Sequence, residues 1–445
     1  MQTHFSLARL ADPDVADSDR ILRACVHCGF CTATCPTYLL TGDELDGPRG
    51  RIYLAKDMLE KDRPADATTV KHLDRCLTCL ACMTTCPSGV NYMHLVDHAR
   101  RHIERTYRRP LHDRLMRKFL AFVLPDAGRF RVALAAARAI RPFRRVLPVR
   151  VRRLLEIARR ERTQRAPTTR SRVDTVDARA ASPLLSHARS TAIKRVALLP
   201  GCVQPALRPQ INDATIRLLR RHGVEVVIAS GTGCCGALVH HLGKENPARA
   251  QARADIDAWS REIDDGGLDA IIVTASGCGT MLKDYGFIFR NDAAYAHKAA
   301  QVSVLARDVT EVIAGLALEA AVPLPAVSVA YHSACSLQHG QNLHTLPQDL
   351  LRKSGFTVLE VPEGHICCGS AGTYSLLEPE MSTRLRERKV RNLEALRPDA
   401  IATGNIGCIT QIAQGTDIPI VHTVELLDWA TGGPSPLRIA ACPHS

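Results

Sequence analysis

The sequence predicts a multidomain protein of α and α/β class: a helical N-terminal domain, a basic helical bridge, and a duplicated α/β half with mainly parallel sheets. Three observations predict it. The 17 cysteines fall into four groups of four with one left over. The second half runs twice through one order of apolar segments, helices and cysteines. The net charge of +13 belongs to a single segment. At 445 residues the chain has room for roughly three domains of about 150 residues, and 46% hydrophobic with 23% charged residues is a folded composition, not a disordered one. No run of 18 predominantly apolar residues occurs, which excludes a transmembrane helix. Residues 1–20 lack the basic-then-apolar order of a signal peptide. A cytoplasmic, reducing setting is therefore expected, where many cysteines serve metal ligation or redox chemistry.

Residues 1–105 read as one small helical domain. A short helix is expected over 18–24. A second over 49–61 (RGRIYLAKDMLEK) has Ile52, Ala55 and Leu59 on one face, started by Gly47-Pro48, and a third follows over 92–105. Between and around them lie Cys25, Cys28, Cys31 and Cys35, then Cys76, Cys79, Cys82 and Cys86. Each run is C-x2-C-x2-C-x3-C-P, the spacing of bacterial two-cluster ferredoxins, in which the fourth cysteine ligates the other cluster. Three closely spaced thiolates cap one cubane, while Pro36 and Pro87 force the chain out of the loop in an extended conformation. One [4Fe–4S] cluster is thus expected on Cys25, Cys28, Cys31 and Cys86, and a second on Cys76, Cys79, Cys82 and Cys35. Zinc sites split four ligands into two pairs, a pattern absent here.

Residues 106–192 form the bridge. Between positions 100 and 165 stand 21 Lys and Arg against 5 Asp and Glu, whereas the rest of the chain carries 37 basic and 40 acidic groups. Short amphipathic helices broken by Pro110, Pro125, Pro142 and Pro148 are expected, the first with Leu111, Leu115, Phe119 and Phe122 on one face and Arg114, Arg117 and Lys118 elsewhere. Positions 162–190, rich in Ser, Thr, Pro and Arg, read as a linker. Nucleic-acid binding is disfavoured because interleaved stacking aromatics are few. A solvated face stays open; contact with an anionic membrane surface or an acidic partner is favoured.

Residues 193–322 and 323–445 are the two copies. Apolar runs at 195–201, 224–229 and 268–274 lead to Cys202, to Cys234-Cys235-Gly236 and to Cys278, with a helix over 248–263. Runs at 327–331, 356–361 and 400–403 lead to Cys335, to Cys367-Cys368-Gly369 and to Cys408. Both copies place 31 residues between the first cysteine and the CCG, and VLARDVTEVIAG (304–315) parallels IVHTVELLDWAT (420–431). Strands alternating with helices imply parallel sheets, and cysteines after apolar runs fall at the C-terminal strand edge, where such sheets hold ligands. Buried thiols acting as small hydrophobes are the plainer reading; matched spacing in two copies favours a cofactor site.

The combination resembles the CCG-domain (cysteine-rich) proteins related to heterodisulfide reductase subunits, over essentially the whole chain. Within that group, CPTYLLTGDELDGPRGRIYL (35–54) resembles the iron–sulfur subunits of glycolate oxidases. The resemblance implies an oxidoreductase complex in which FAD-containing subunits oxidise glycolate, and D-lactate as a further candidate, to glyoxylate. This chain, with no catalytic residue of its own, carries the electrons towards a quinone-type acceptor, from the inner face of the cytoplasmic membrane. Rival readings are the electron-transfer subunit of anaerobic glycerol-3-phosphate dehydrogenase or of lactate utilisation, and a heterodisulfide-reductase-like enzyme. The family's fullest pattern ends each repeat with C-x-x-C, but Met281 and Gln411 stand at the final positions. Whether Cys202, Cys234, Cys235 and Cys278, and Cys335, Cys367, Cys368 and Cys408, bind further iron–sulfur clusters stays open.

Weaker signals remain. Gly231-Thr232-Gly233 lacks the third glycine of a dinucleotide loop. His240, His241 and His365 read as hydrogen-bonding neighbours of the CCG motifs, and Cys442 as a free thiol.

Overall fold

The computed structural model describes residues 1–140, 193–318 and 324–437, with 150, 152 and 156. The expected linker at 162–190, Pro142, Pro148 and Cys442 lie outside the described residues.

Helix α1 (Pro13–Ala24) starts earlier than the expected 18–24, because Asp12 accepts the Asp14 N–H and Pro13 fits the first turn, where no amide partner is needed. Helix α2 (Pro48–Glu60) follows its expected span. Helix α3 (Ala67–Asp74) was not foreseen; its start is set by Asp66, which accepts the Thr69 N–H at 2.7 Å. Asn91 caps α4 (Tyr92–Thr106) in the same way. Leu95, Val96, Ala99 and Ile103 of α4 close a core with Leu22, Ile52, Met58, Leu59 and Leu73.

Helices α5 (Leu111–Val123) and α6 (Ala127–Ala139) are part of the α/β half. Leu120, Val123, Leu124, Phe130 and Leu134 enter the same core as Val196, Leu198 and Leu207. Arg117 turns inward onto Asp113 (3.1 Å) and Asp74 (2.8 Å). The stripe of Leu111, Leu115, Phe119 and Phe122 faces outward and is exposed.

In the first repeat, β1 (Arg195–Leu198), α7 (Gln210–Arg221), β2 (Glu225–Val227), α8 (Glu245–Asp264), β3 (Ala270–Val273), α9 (Ser276–Lys283), α10 (Ala296–Leu305) and β4 (Ala306–Asp308) follow one another. In the second, the order is β5 (Ser328–Tyr331), α11 (Leu346–Lys353), β6 (Thr357–Leu359), α12 (Pro379–Glu394), β7 (Ala400–Thr403), α13 (Ile406–Ile412), β8 (Ile420–His422) and α14 (Thr423–Ala430). The sheets are wholly parallel, with orders β2-β1-β3-β4 and β6-β5-β7-β8. β3 and β7 are buried at every residue, as parallel strands covered on both faces must be. Order reverses between β1 and β3, and between β5 and β7, which opens a crevice at the C-terminal edge.

The two crevices face each other. Ser276 N donates to the Gly404 carbonyl (3.2 Å), the Ser276 and Ser336 hydroxyls pair at 2.7 Å, and His422 Nε2 meets the Thr274 carbonyl at 2.7 Å. Behind them α7 packs on α14, where Arg217 and Arg221 hold the buried Asp428 at 2.6 and 3.0 Å. The N-terminal domain docks on both repeats. His94 pairs with Asp284 (2.8 Å) and stacks on Phe287 at 3.5 Å, Thr84 bonds His339 (2.8 Å), and buried Asp97 receives His240 at 3.2 Å.

Burial opposes the Asp97 charge, but His240 and His241 outweigh it and hold the carboxyl well below the usual range. A group so depressed stabilises the fold above the ordinary carboxylate pKa and ceases to do so as pH falls through its folded value. Asp97→Ala, which leaves His240 buried without its partner, is expected to cost about 3 kcal/mol. Thermal unfolding at neutral pH checks this, and the gap from the unmodified chain should narrow in acid.

Candidate metal centres

The two cysteine loops of the N-terminal domain repeat a rare backbone. His27 and Gly29 around Cys28, and Thr78 and Leu80 around Cys79, all have left-handed φ, of 56°, 86°, 52° and 63°. Three of these four are not glycine, so the conformation carries a strain that surrounding structure must hold. Alternating backbone of this kind turns successive amides and side chains to one centre, the concave form common at iron–sulfur sites.

Two cavities result. One is lined by Cys25, Cys28, Cys31 and Cys86, together with Cys82; the other by Cys35, Cys76, Cys79 and Cys82. Each therefore gathers three thiols of one run and the last cysteine of the other, with Cys82 on the wall of both. Pro48 and Tyr92 line both, so the two are neighbours. The runs are laced directly, by Thr34 Oγ1 donating to the Ala81 carbonyl (3.4 Å) and Thr85 Oγ1 to Thr34 Oγ1 (3.2 Å).

The donor set fits a cationic, thiolate-bound group. Burial, and then the neighbouring cysteines, push Cys79 and Cys82 well above the thiol range, and burial with Cys25 pushes Cys31 up to about 11. Such thiols ionise together only around a compensating cation. Protein cations already flank them. Buried Arg51 sends Nη1 to Cys35 Sγ (3.8 Å), Nη2 to Thr37 Oγ1 (2.9 Å) and Nε to the His72 carbonyl (2.7 Å). Burial works against its charge, but Cys76, Tyr92, Cys35 and Asp46 hold its pKa above the ordinary guanidinium value. Burial raises Cys76, yet Arg51, Arg100, the Thr78 N–H and the Tyr92 hydroxyl outweigh it and leave the thiol below its usual range. Asp46, fully buried, is gripped by His72 (2.8 Å) and Arg75 (2.9 Å).

The eight cysteines of the two repeats, from Cys202 to Cys408, line one cleft of about 240 Å³ between them, together with Leu77 and Thr78 of the N-terminal domain. Gly236 and Gly369 both have φ 86°, and a Cβ there would stand 2.8 Å from the Ala248 carbonyl oxygen and 2.6 Å from that of Ser382. The glycine of each CCG is what lets the thiols approach the helix behind them. Cys335 and Cys367 Sγ stand 3.8 Å apart, and Cys367 shares an apolar cluster with Cys79 and Leu77. Met281 packs in the core, and Gln411, on the wall of the cleft, donates to the Ser382 hydroxyl (2.8 Å). His240 and His241 belong to Asp97, and His365 offers its carbonyl to His339 (3.3 Å). Gly233 N donates to Asp255 (2.8 Å). His332, which the sequence reading passed over, has ligand atoms within 4.8 Å of those of Cys368 and Cys408.

Fold and sites together define a two-cluster iron–sulfur protein with duplicated cysteine-rich domains. Residues 21–90 match the 4Fe-4S dicluster domain family, and residues 196–283 and 329–413 match the cysteine-rich CCG domain family. The chain is 44% identical over 430 residues to the glycolate oxidase iron-sulfur subunit of Escherichia coli (strain K12), covering 97% of this chain and 99% of that protein. It is 32% identical over 425 residues to the probable glycolate oxidase iron-sulfur subunit of Bacillus subtilis (strain 168), covering 92% and 94%. Similarity to lactate utilization protein A of Oceanobacillus iheyensis is 24% over 241 residues, 53% of this chain and 96% of that one. The chain belongs to the family of glycolate oxidase iron–sulfur subunits.

Arg51→Met keeps most of the side-chain volume and removes three buried hydrogen bonds and the charge beside Cys35 and Cys76. It is expected to cost about 3 kcal/mol, measured by anaerobic denaturant unfolding of the full chain.

Proposed function

We propose that this chain is the electron-carrying subunit of a glycolate-oxidising complex. A FAD-containing partner subunit takes a hydride from glycolate, and from D-lactate as a second substrate, and this chain passes the electrons towards a quinone-type acceptor. Cys25, Cys28, Cys31 and Cys86 hold one [4Fe–4S] cluster, and Cys76, Cys79, Cys82 and Cys35 hold the other. The observation that carries the reading is the crossed lining of the two cavities, each with three thiols of one run and the last cysteine of the other, and Cys82 shared between them. When bound, the clusters supply single-electron steps and no bond chemistry on an organic molecule. Arg51 and Arg100 offset thiolate charge at the cavity of Cys35, Cys76, Cys79 and Cys82, the inner site, while Tyr92 and Pro48 line both cavities. Leu77 and Thr78 carry the inner loop to the wall of the cysteine-rich cleft.

The outward face of α5 and α6 lies on the anionic inner surface of the cytoplasmic membrane, near the quinone pool. Leu111, Phe122 and Val132 are 61%, 59% and 71% exposed, and Arg114, Lys118 and Arg131 stand exposed among them. Mixed large apolar and basic side chains on a helix surface suit the headgroup region. Among the described residues no helix is long and apolar enough to cross a membrane.

Cys35→Ser and Cys86→Ser are each expected to lower iron content by about four per chain and to remove different EPR signals; loss of the same signal in both would refute the crossed assignment. The co-purified complex should reduce a dye with glycolate, and activity with glycerol 3-phosphate alone would replace the substrate. Phe119→Glu combined with Phe122→Glu should abolish sedimentation with anionic liposomes at low salt while iron content stays unchanged. Equal sedimentation of variant and unmodified chain would remove the membrane reading.

A further inference from the structure

The two cysteine-rich repeats share a scaffold but differ in two buried residues beside the thiols. The register is fixed by equivalent backbone bonds: Leu199 N donates to the Ile272 carbonyl at 3.0 Å, and His332 N donates to the Ala402 carbonyl at 2.8 Å. Histidine thus stands in the second copy where leucine stands in the first, just beyond β5 and beside β7, where the strand order reverses. His332 is 1% exposed, and neither ring nitrogen has a hydrogen-bond partner among the described residues. An imidazole so buried without partners forfeits its hydrogen bonds to water for nothing, unless a ligand takes a nitrogen lone pair. The thiols of Cys368 and Cys408 are the groups that converge on it, with all three ligand atoms within 4.8 Å of one another.

The second difference is in a buried ionisable residue. In both copies the CCG glycine abuts the helix behind it, at Ala248 and at Ser382. Seven residues further along those helices stand Asp255 in α8 and Lys389 in α12, each 1% exposed. Lys389 sends Nζ to the Glu363 carbonyl (2.8 Å) and lies within the electrostatic reach of Cys367, Cys368 and Cys408. A lysine amine at this place can compensate thiolate charge, and a carboxyl at the matching place of the first repeat cannot. Asn405 Nδ2 donates to Cys408 Sγ (3.5 Å), a further bond that suits a thiolate.

We propose that His332, Cys368 and Cys408 bind a single thiophilic divalent cation of the zinc class, in the second repeat and not in the first. Mixed imidazole and thiolate donors suit that class, and three protein ligands leave one tetrahedral position open. Cys368 and Cys408 line the 240 Å³ cleft, so the open position faces it and takes water or a small donor from it.

The test uses the full chain, purified anaerobically with its iron retained, and zinc(II) or cobalt(II) as the probe. The unmodified chain should keep one zinc per chain against a competing chromophoric chelator. His332→Leu, which installs the residue of the first repeat, and Cys408→Ser should each weaken zinc binding at least tenfold with unchanged iron content and circular dichroism. Cys278→Ser, the counterpart in the first repeat, should bind zinc as the unmodified chain does. The cobalt(II) form of the unmodified chain should show tetrahedral d–d and thiolate charge-transfer bands, a readout independent of how any variant folds. Absence of those bands, equal zinc affinity in His332→Leu, or loss of zinc in Cys278→Ser would overturn the proposal. So would loss of iron and sulfide together in Cys408→Ser, which would make the site a further iron–sulfur cluster.

Discussion

Repulsion between buried thiolates is the constraint on which the N-terminal half depends. Two unit charges 4 Å apart at an effective dielectric constant of about 20 repel by about 4 kcal/mol, and this domain brings eight thiols into two adjoining cavities. Iron supplies most of the compensation, and the protein supplies the rest from fixed positions. Arg51 reaches the inner cavity because α2 begins at Pro48, and Asp46 with His72 holds the surroundings of its guanidinium. Gly50 is part of the same device, since a Cβ there would stand 2.2 Å from the Glu44 carbonyl oxygen and push α2 away from the turn that carries Asp46.

Crossing the last cysteine of each run into the other cavity has a structural effect of its own. It ties the start of the domain to its end, so α2 and α3, between the runs, are enclosed and the cavities share walls. The inner loop is then presented to the second repeat, where Leu77 and Cys79 pack with Ile366 and Cys367. The two repeats are one scaffold used twice, with Asp255 and Lys389 at matching buried positions and burial working against the charge of each.

Much of this was legible in the sequence. Strand β7 has the span expected of it, and β1, β2, β3, β5 and β6 fall inside their apolar runs, because parallel strands covered by helices leave an apolar signature, whereas β4 and β8 were not foreseen as strands. The cysteine spacing marked both N-terminal cavities, since loop chemistry is local. Other features depended on tertiary context. Helix α3 has few apolar positions and is started by the Asp66 cap. The apolar face of α5 turned out to be its exposed one, because Arg117, not Phe119, is drawn inward by Asp74 and Asp113. Arg51 reads as an ordinary surface residue of an amphipathic helix until Cys35 and Cys76 are seen on either side. His332 could have been noticed by aligning the repeats, where it stands at the place of Leu199 just beyond the strand end.

The central claim, two adjoining clusters on crossed cysteine sets, is tested most directly by EPR of the anaerobically purified, fully reduced chain. The shared walls of the cavities predict two spins per chain whose signals are broadened by mutual interaction. A single spin, or two signals that add without interaction, would contradict the account.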